Sequence, residues 1–171
     1  MTEETHPRPA SATKPLNRGE LKRLITGRHH NPHALLGPHP HDGAVTVRTL
    51  KPLADSVSVQ MADGTRVRLS HELEGVWAGV LPTPTVPDYR ILVTYGDGVE
   101  HVLDDPYRFL PTLGEVDLHL IGEGRHEELW NVLGSHVHEY DGPIGPVRGT
   151  SFAVWAPNAR AIRLIGDFNQ W

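Results

Sequence analysis

The sequence predicts a mainly β protein, a sandwich or small barrel preceded by a short helix. Three observations predict it. Apolar and polar residues alternate in short runs between 44 and 103, the period of a strand with one buried face. Turn residues separate those runs at roughly 8–12-residue spacing, as in all-β sandwiches and barrels. Finally, 17 Gly and 15 Pro make up nearly a fifth of the 171 residues. Such a content asks for many turns and disfavours a helical bundle.

The elements follow in order. Residues 1–15 are mostly Thr, Glu, Pro, Ser and Ala, with little to bury, and are expected to be a disordered tail. Asn17 is placed to cap a helix over 17–26, with Glu20 completing a capping box. Leu16, Leu21, Leu24 and Ile25 give that helix one apolar face, and Gly27 ends it. Strands are expected over 44–52 (Val45, Val47 and Thr49 on one face) and 56–62 (Val57, Val59, Met61). Asp63-Gly64 is a two-residue type I′ hairpin signal, and Val67 and Leu69 continue the alternation beyond it. Val76, Ala78 and Val80 mark a fourth strand closed by Pro82. Tyr89, Ile91, Val93 and Tyr95 mark a fifth, and Gly96-Asp97-Gly98 turns into 99–103.

Beyond residue 106 the pattern breaks. Short helices are expected over 115–121 and 126–133, and the Gly- and Pro-rich stretch EYDGPIGPVRG reads as a loop or domain boundary. Strands resume at 150–155 and 161–165, with Pro157-Asn158 in the turn. A hairpin alone is marginal in water, so these strands are expected to begin a second sandwich without finishing it.

Charge and composition restrict function. Sixteen basic against 21 acidic side chains give −5 at pH 7, and only two Lys, Lys22 and Lys51, occur after residue 20; nucleic acid is a poor partner for such a surface. Without Cys there is no disulfide framework and no thiolate chemistry. The start has no apolar signal region, and no apolar run is long enough to span a membrane. The expectation is a cytoplasmic protein with no membrane partner.

Candidate chemical sites fail one after another. His29, His30, His33, His39 and His41 crowd one segment, but Pro32, Pro38 and Pro40 break helical ligand spacing. That segment reads as a polar loop anchored on the first sheet by Leu35 and Leu36. His71-Glu72 and His126-Glu127 begin like the zinc motif HExxH and lack its second His. Asp104 and Asp105 read as a strand-end turn, since sequence neighbours do not by themselves form an acid/base pair. No phosphate loop, dinucleotide fingerprint or GxSxG elbow is present. No catalytic residue, metal ligand or cofactor is therefore assigned.

Aromatic residues are more informative. Trp and Tyr offer flat apolar faces to the C–H faces of sugar rings, and amide or carboxylate groups bond the hydroxyls. Trp171 follows Asp167, Phe168, Asn169 and Gln170, and Trp155 lies on the strand before it. Trp155, Asn169 and Trp171 are thus candidate glucan contacts. Packing into the second sandwich or against a neighbouring domain is the favoured alternative for both Trp residues. Trp77 and Trp130 read as packing residues.

The string GTSFAVWAPNARAIRLIGDFNQW (149–171) resembles the opening strands of the second amino-terminal sandwich of glycogen branching enzymes, a starch-binding-like module. HHNPHALLGPH (29–39) and DDPYRFLPTLGEVDLHLIGEGRHEELWNVLGSH (104–136) resemble the preceding module and linker of the bacterial, actinobacterial-type 1,4-α-glucan branching enzymes. The likeness covers residues 17–171. It implies an immunoglobulin-like β-sandwich with a short N-terminal helix, a helical linker and the first strands of a second sandwich. The boundaries implied are 1–15 for the tail, 16–112 for the first module, 113–145 for the linker and 146–171 for the second.

What the resemblance implies about function lies mostly outside these residues. In that family a downstream (β/α)₈ barrel carries a carboxylate nucleophile and a general acid. They move α-1,4-glucan segments onto 6-hydroxyls as α-1,6 branches. No residue here matches those motifs. The chain is expected to be a truncated or partial product that holds α-glucan, whether glycogen or linear maltodextrin, and packs on the barrel. A free-standing glucan-binding module or a structural spacer is the alternative.

Overall fold

The computed structural model describes residues 12–169 and 171. The chain divides into two compact units. The first runs to Pro111 and regains Tyr140–Val147; the second comprises Thr112–Glu139 and Arg148–Trp171.

The first unit is a β-sandwich. One sheet has the order β1 (Gly37–His41), β2 (Ala44–Leu50), β6 (Val76–Leu81), β5 (Ser70–Leu73). The other has β4 (Arg66–Arg68), β3 (Ser56–Met61), β7 (Tyr89–Thr94), β8 (Glu100–Leu103). The pairs are antiparallel. Val45 and Val47 from one sheet meet Val57, Val59, Ile91 and Val93 from the other, all fully buried. Each such side chain stabilises the fold by about 1.5–3 kcal/mol. The chain changes sheets at Leu69, whose N–H bonds Val57 O at 2.9 Å. Leu69 fills the space over Gly79, where a Cβ would stand 2.5 Å from Leu69 Cδ2. Any larger residue at 79 collides with the crossover.

A second cluster lies between the first sheet and helix α1 (Arg18–Ile25): Leu21, Leu24, Leu35 and Leu36 pack with Val76 and, partly buried, Leu50. Asn17 caps α1 by accepting the Gly19 N–H at 2.7 Å. The expected capping box does not close. Glu20 is committed to His29 Nε2 at 2.7 Å and to Arg23.

Most of the expected tail lies outside the described residues, but Lys14 N–H donates to Thr46 Oγ1 at 2.8 Å and Thr13 Oγ1 to Glu72. Arg48, buried beside them, pairs with Glu72 and donates to Lys14 O.

Several expectations are corrected. The His-rich segment contains a 3₁₀ turn (Pro32–Ala34) and then the edge strand β1. Proline is tolerated there because an edge strand leaves alternate N–H positions facing away from the ladder. The turn after β3 is not type I′. Only Gly64 has positive φ (85°), and Met61 N–H bonds Thr65 O across a loop one residue longer; Gly64 closes it with a left-handed residue after an ordinary turn.

In the second unit, α2 (Glu115–Gly122) forms as expected, but 126–133 yields only a 3₁₀ turn, Leu129–Asn131. Strands β9 (Gly134–Tyr140) and β10 (Val147–Ala153) form a two-stranded sheet whose hairpin lies in the first unit. Residues 161–165 form no strand, since alternation cannot make a ladder without a neighbouring strand. Trp130, expected to pack, is 68% exposed.

Candidate functional site

The segment after β10 carries the candidate residues. Ala159 N–H bonds Ala156 O across the Pro157-Asn158 turn. The chain then reaches Gly166 and a 3₁₀ turn, Asp167–Asn169. Gly166 is needed there, because a Cβ would stand 2.6 Å from the Phe168 ring. Asn169 builds this turn: its Oδ1 accepts the Gly166 N–H at 2.9 Å and its Nδ2 donates to Leu164 O at 2.7 Å. Its amide is thereby spent on the backbone.

Trp171 closes the same loop. Its N–H bonds Gly166 O at 3.0 Å, and its indole Nε1–H donates to Asp167 Oδ1 at 2.8 Å. The ring is held by one edge while the residue stays 73% exposed. A tethered, exposed indole with a carboxylate at its rim has the chemistry of a sugar platform. The motif's Gln170 lies outside the described residues.

Trp155 has a different setting. It lines a shallow cavity of about 270 Å³ with Ile121, Gly124, His126, Leu129 and Leu133, and is 61% exposed. One wall is fixed by His126, whose Nε2 meets Asp117 Oδ1 at 3.0 Å. That bond, with the Gly114 N–H, holds the Asp117 carboxyl below the usual carboxylate range. Sequence reasoning treated His126 only as a failed zinc motif; the signal it missed is the position of Asp117 on the preceding helix.

The other candidates are absorbed by structure. His33 Nε2 contacts Phe109 O and His39 Nε2 contacts Leu36 O, both at 3.2 Å. Burial, with the charge of Lys14, holds His39 below the usual imidazole value. His71 Nε2 accepts the Gly75 N–H at 3.0 Å. Asp104 pairs with Arg90 at 2.6 Å. Asp105 caps a 3₁₀ turn through the Tyr107 N–H and accepts the Tyr89 O–H at 2.7 Å. Burial pushes both Asp105 and Tyr89 upward in pKa. Among the described residues no three His, Asp or Glu gather in a way that could hold a metal ion.

Comparison with known proteins shows the family. A family model described as the N-terminal domain of the alpha-1,4-glucan branching enzyme GlgB matches residues 17–107, more than half of the chain. The chain belongs to that family. Residues 132–171 match carbohydrate-binding module 48, the isoamylase N-terminal domain. The 1,4-alpha-glucan branching enzyme GlgB of Thermobifida fusca is 60% identical over 152 residues, which are 89% of this chain and 20% of that protein. Those of Kitasatospora aureofaciens and Rhodococcus jostii are 53% identical over 165 residues and 52% over 152, covering 96% and 89% of this chain. The actinobacterial type is the one expected. The chain spans about a fifth of the length of these relatives. Among solved structures, the catalytic module of the glycogen-degrading pneumococcal virulence factor SpuA gives 22% identity and a TM-score of 0.35 over 42% of this chain and 12% of that one. Among the described residues no helix is long and apolar enough to cross a membrane.

Proposed function

We propose that this chain is the amino-terminal part of a cytoplasmic 1,4-α-glucan branching enzyme of glycogen synthesis, where it holds glucan for a catalytic barrel elsewhere in the protein. The observation that carries the reading is the paired family match: a GlgB N-terminal domain over 17–107 and a carbohydrate-binding module over 132–171. The barrel moves α-1,4-linked segments to 6-hydroxyls; these residues contribute binding and orientation and take no part in bond cleavage. Glucan affinity centres on the exposed ring of Trp171, with Asn169 holding the turn that presents it. A sugar stacked on one indole buries little area, so at about 25 cal/mol per Å² it leaves only millimolar affinity after orientation costs. Repeated contacts along a polymer raise it. Nucleic acid and membranes are not partners in this reading, in line with the net charge of −5.

Affinity electrophoresis in glycogen gels tests this. The chain should be retarded, and Trp171→Ala should abolish the retardation. Retardation that survives this change and vanishes when His29, His30 and His33 are replaced together overturns the assignment.

A further inference from the structure

The two units share more than a strand pattern. A constant shift of 97 positions superimposes Leu21 on Leu118, Gly27 on Gly124, His29 on His126, Leu36 on Leu133, Gly37 on Gly134 and His39 on His136. The same shift carries α1 onto α2, both eight residues long, and the 3₁₀ turn Pro32–Ala34 onto Leu129–Asn131. The hydrogen bonds repeat as well. His29 Nε2 meets Glu20 at 2.7 Å while its Nδ1 accepts the Asn31 N–H at 3.1 Å. His126 Nε2 meets Asp117 at 3.0 Å while its Nδ1 accepts the Glu128 N–H at 3.2 Å. Next, His39 contacts Leu36 O and His136 contacts Leu133 O, at 3.2 and 2.9 Å. Gly27 and Gly124 have φ of 67° and 68°, and Gly37 and Gly134 have 85° and 95°.

Beyond the hairpin the shift becomes 105. It then aligns Val47 with Phe152, Leu50 with Trp155, Pro52 with Pro157, Ala54 with Ala159, Val57 with Ile162 and Val59 with Leu164. The eight added residues fall where Tyr140–Val147 leaves the second unit for the first. Within the first unit that insert is held by Asp88, which accepts the Ile144 N–H at 2.8 Å, and by Phe109 stacked on Tyr140 at 4.4 Å. The alignment also explains the exposed apolar residues of the second unit. Phe152, Ile162 and Leu164 are exposed counterparts of Val47, Val57 and Val59, which are fully buried in the first. Leu50 packs with the cluster containing Leu24 and Leu36; the counterparts of those two, Ile121 and Leu133, line the cavity with Trp155.

We propose that residues 17–59 and 114–164 are two copies of one helix–turn–hairpin unit. Trp155, the counterpart of Leu50, is then a packing residue that seats α2 on its sheet, not a sugar platform. The inference deepens the glucan-binding reading, and only its binding arm rests on that reading. It divides the two Trp residues: Trp155 positions the layer behind β10, and Trp171, beyond the repeated segment, is left as the exposed ring.

The test uses the full chain, with hydrogen exchange of the α2 amides read beside glycogen-gel retardation. Trp155→Leu, which installs the residue of the first copy, should leave α2 exchange within about twofold of the unsubstituted chain, and retardation unchanged. Trp155→Asp should speed α2 exchange by about tenfold or more, because α2 loses the surface that protects it from local opening. Loss of retardation in Trp155→Leu with α2 protection intact makes Trp155 a platform and overturns the assignment. Unprotected α2 amides in the unsubstituted chain, or α2 exchange indifferent to Trp155→Asp, overturn it as well. If the unsubstituted chain is not retarded by glycogen, the glucan reading fails alone, and α2 exchange still decides the role of Trp155.

Discussion

Val57 and Val59 in the first unit are fully buried, whereas Ile162 and Leu164 in the second are 57% and 44% exposed. All four belong to the same kind of alternating run. The difference lies in what faces them. Strand β3 has β4 and β7 beside it and a second sheet across the core. Residues 161–165 have no ladder at all. Alternation makes a strand amphipathic, but burial needs a second layer, and the free energy of the apolar face is released only when that layer closes. Hence one unit has two buried clusters, while the other shows Trp155, Phe168 and Trp171 to solvent.

The sharpest way to break this comparison is to truncate one isoleucine in each unit. Ile91→Ala, in the centre of the sandwich, should cost about 2–5 kcal/mol through lost burial and a residual cavity. Ile162→Ala should change stability by less than about 0.5 kcal/mol, as at other exposed sites. Denaturant melts of the two variants measure both, and equal losses would mean that the second unit has a closed core.

The buried Asp105 gives the first unit a pH dependence. Burial raises the Asp105 pKa above its ordinary value of 3.8. The folded state therefore holds the proton over a range in which the unfolded chain has lost it. Stability from this group is greatest at low pH, falls as pH rises from about 4 through the raised folded value, and does not recover above it. Asp105→Asn keeps an acceptor for the Tyr89 O–H and should flatten that fall. Thermal melts across acidic pH read the slope; an unchanged slope assigns it to another group.

The smallest effects concern the two helix starts. Asn17 caps α1 with its side chain, whereas Gly114 has none to offer and α2 relies on Asp117 Oδ2 accepting the Gly114 N–H at 3.0 Å. Asn17→Ala should cost about 1 kcal/mol, and Gly114→Asn should add a few tenths of a kcal/mol to α2. Circular dichroism during melting follows both. Gly114 already has extended backbone, with φ −81° and ψ 168°, so the new side chain introduces no strain.

Much of the fold was legible before any coordinates. The period of two at Val45–Thr49, Val57–Met61 and Tyr89–Val93 located three central strands, because each of those faces meets a complete opposing layer. Asn17 and Gly27 bounded α1. The His-rich edge strand was not legible, since Pro38 and Pro40 are breakers in any position except one whose N–H already points away from the ladder. The crossover at Leu69 was hidden as well: residue 69 continues the pattern of β4 while the chain passes to the other sheet.

The candidate site divides in the same way. The residue types of the GDFNQW motif are visible in sequence, but only the folded turn shows Asn169 spent on Gly166 and Leu164, and the Trp171 indole tied to Asp167. The sequence by itself determined which segments are amphipathic, where the turns lie and which family the chain resembles. These are local properties of spacing and side-chain chemistry. Tertiary structure alone decided which apolar faces are buried, that Trp130 is exposed and that Trp155 lines a cavity with Ile121 and Leu133. Burial depends on what a second layer brings opposite each residue, and no local window of sequence contains that partner.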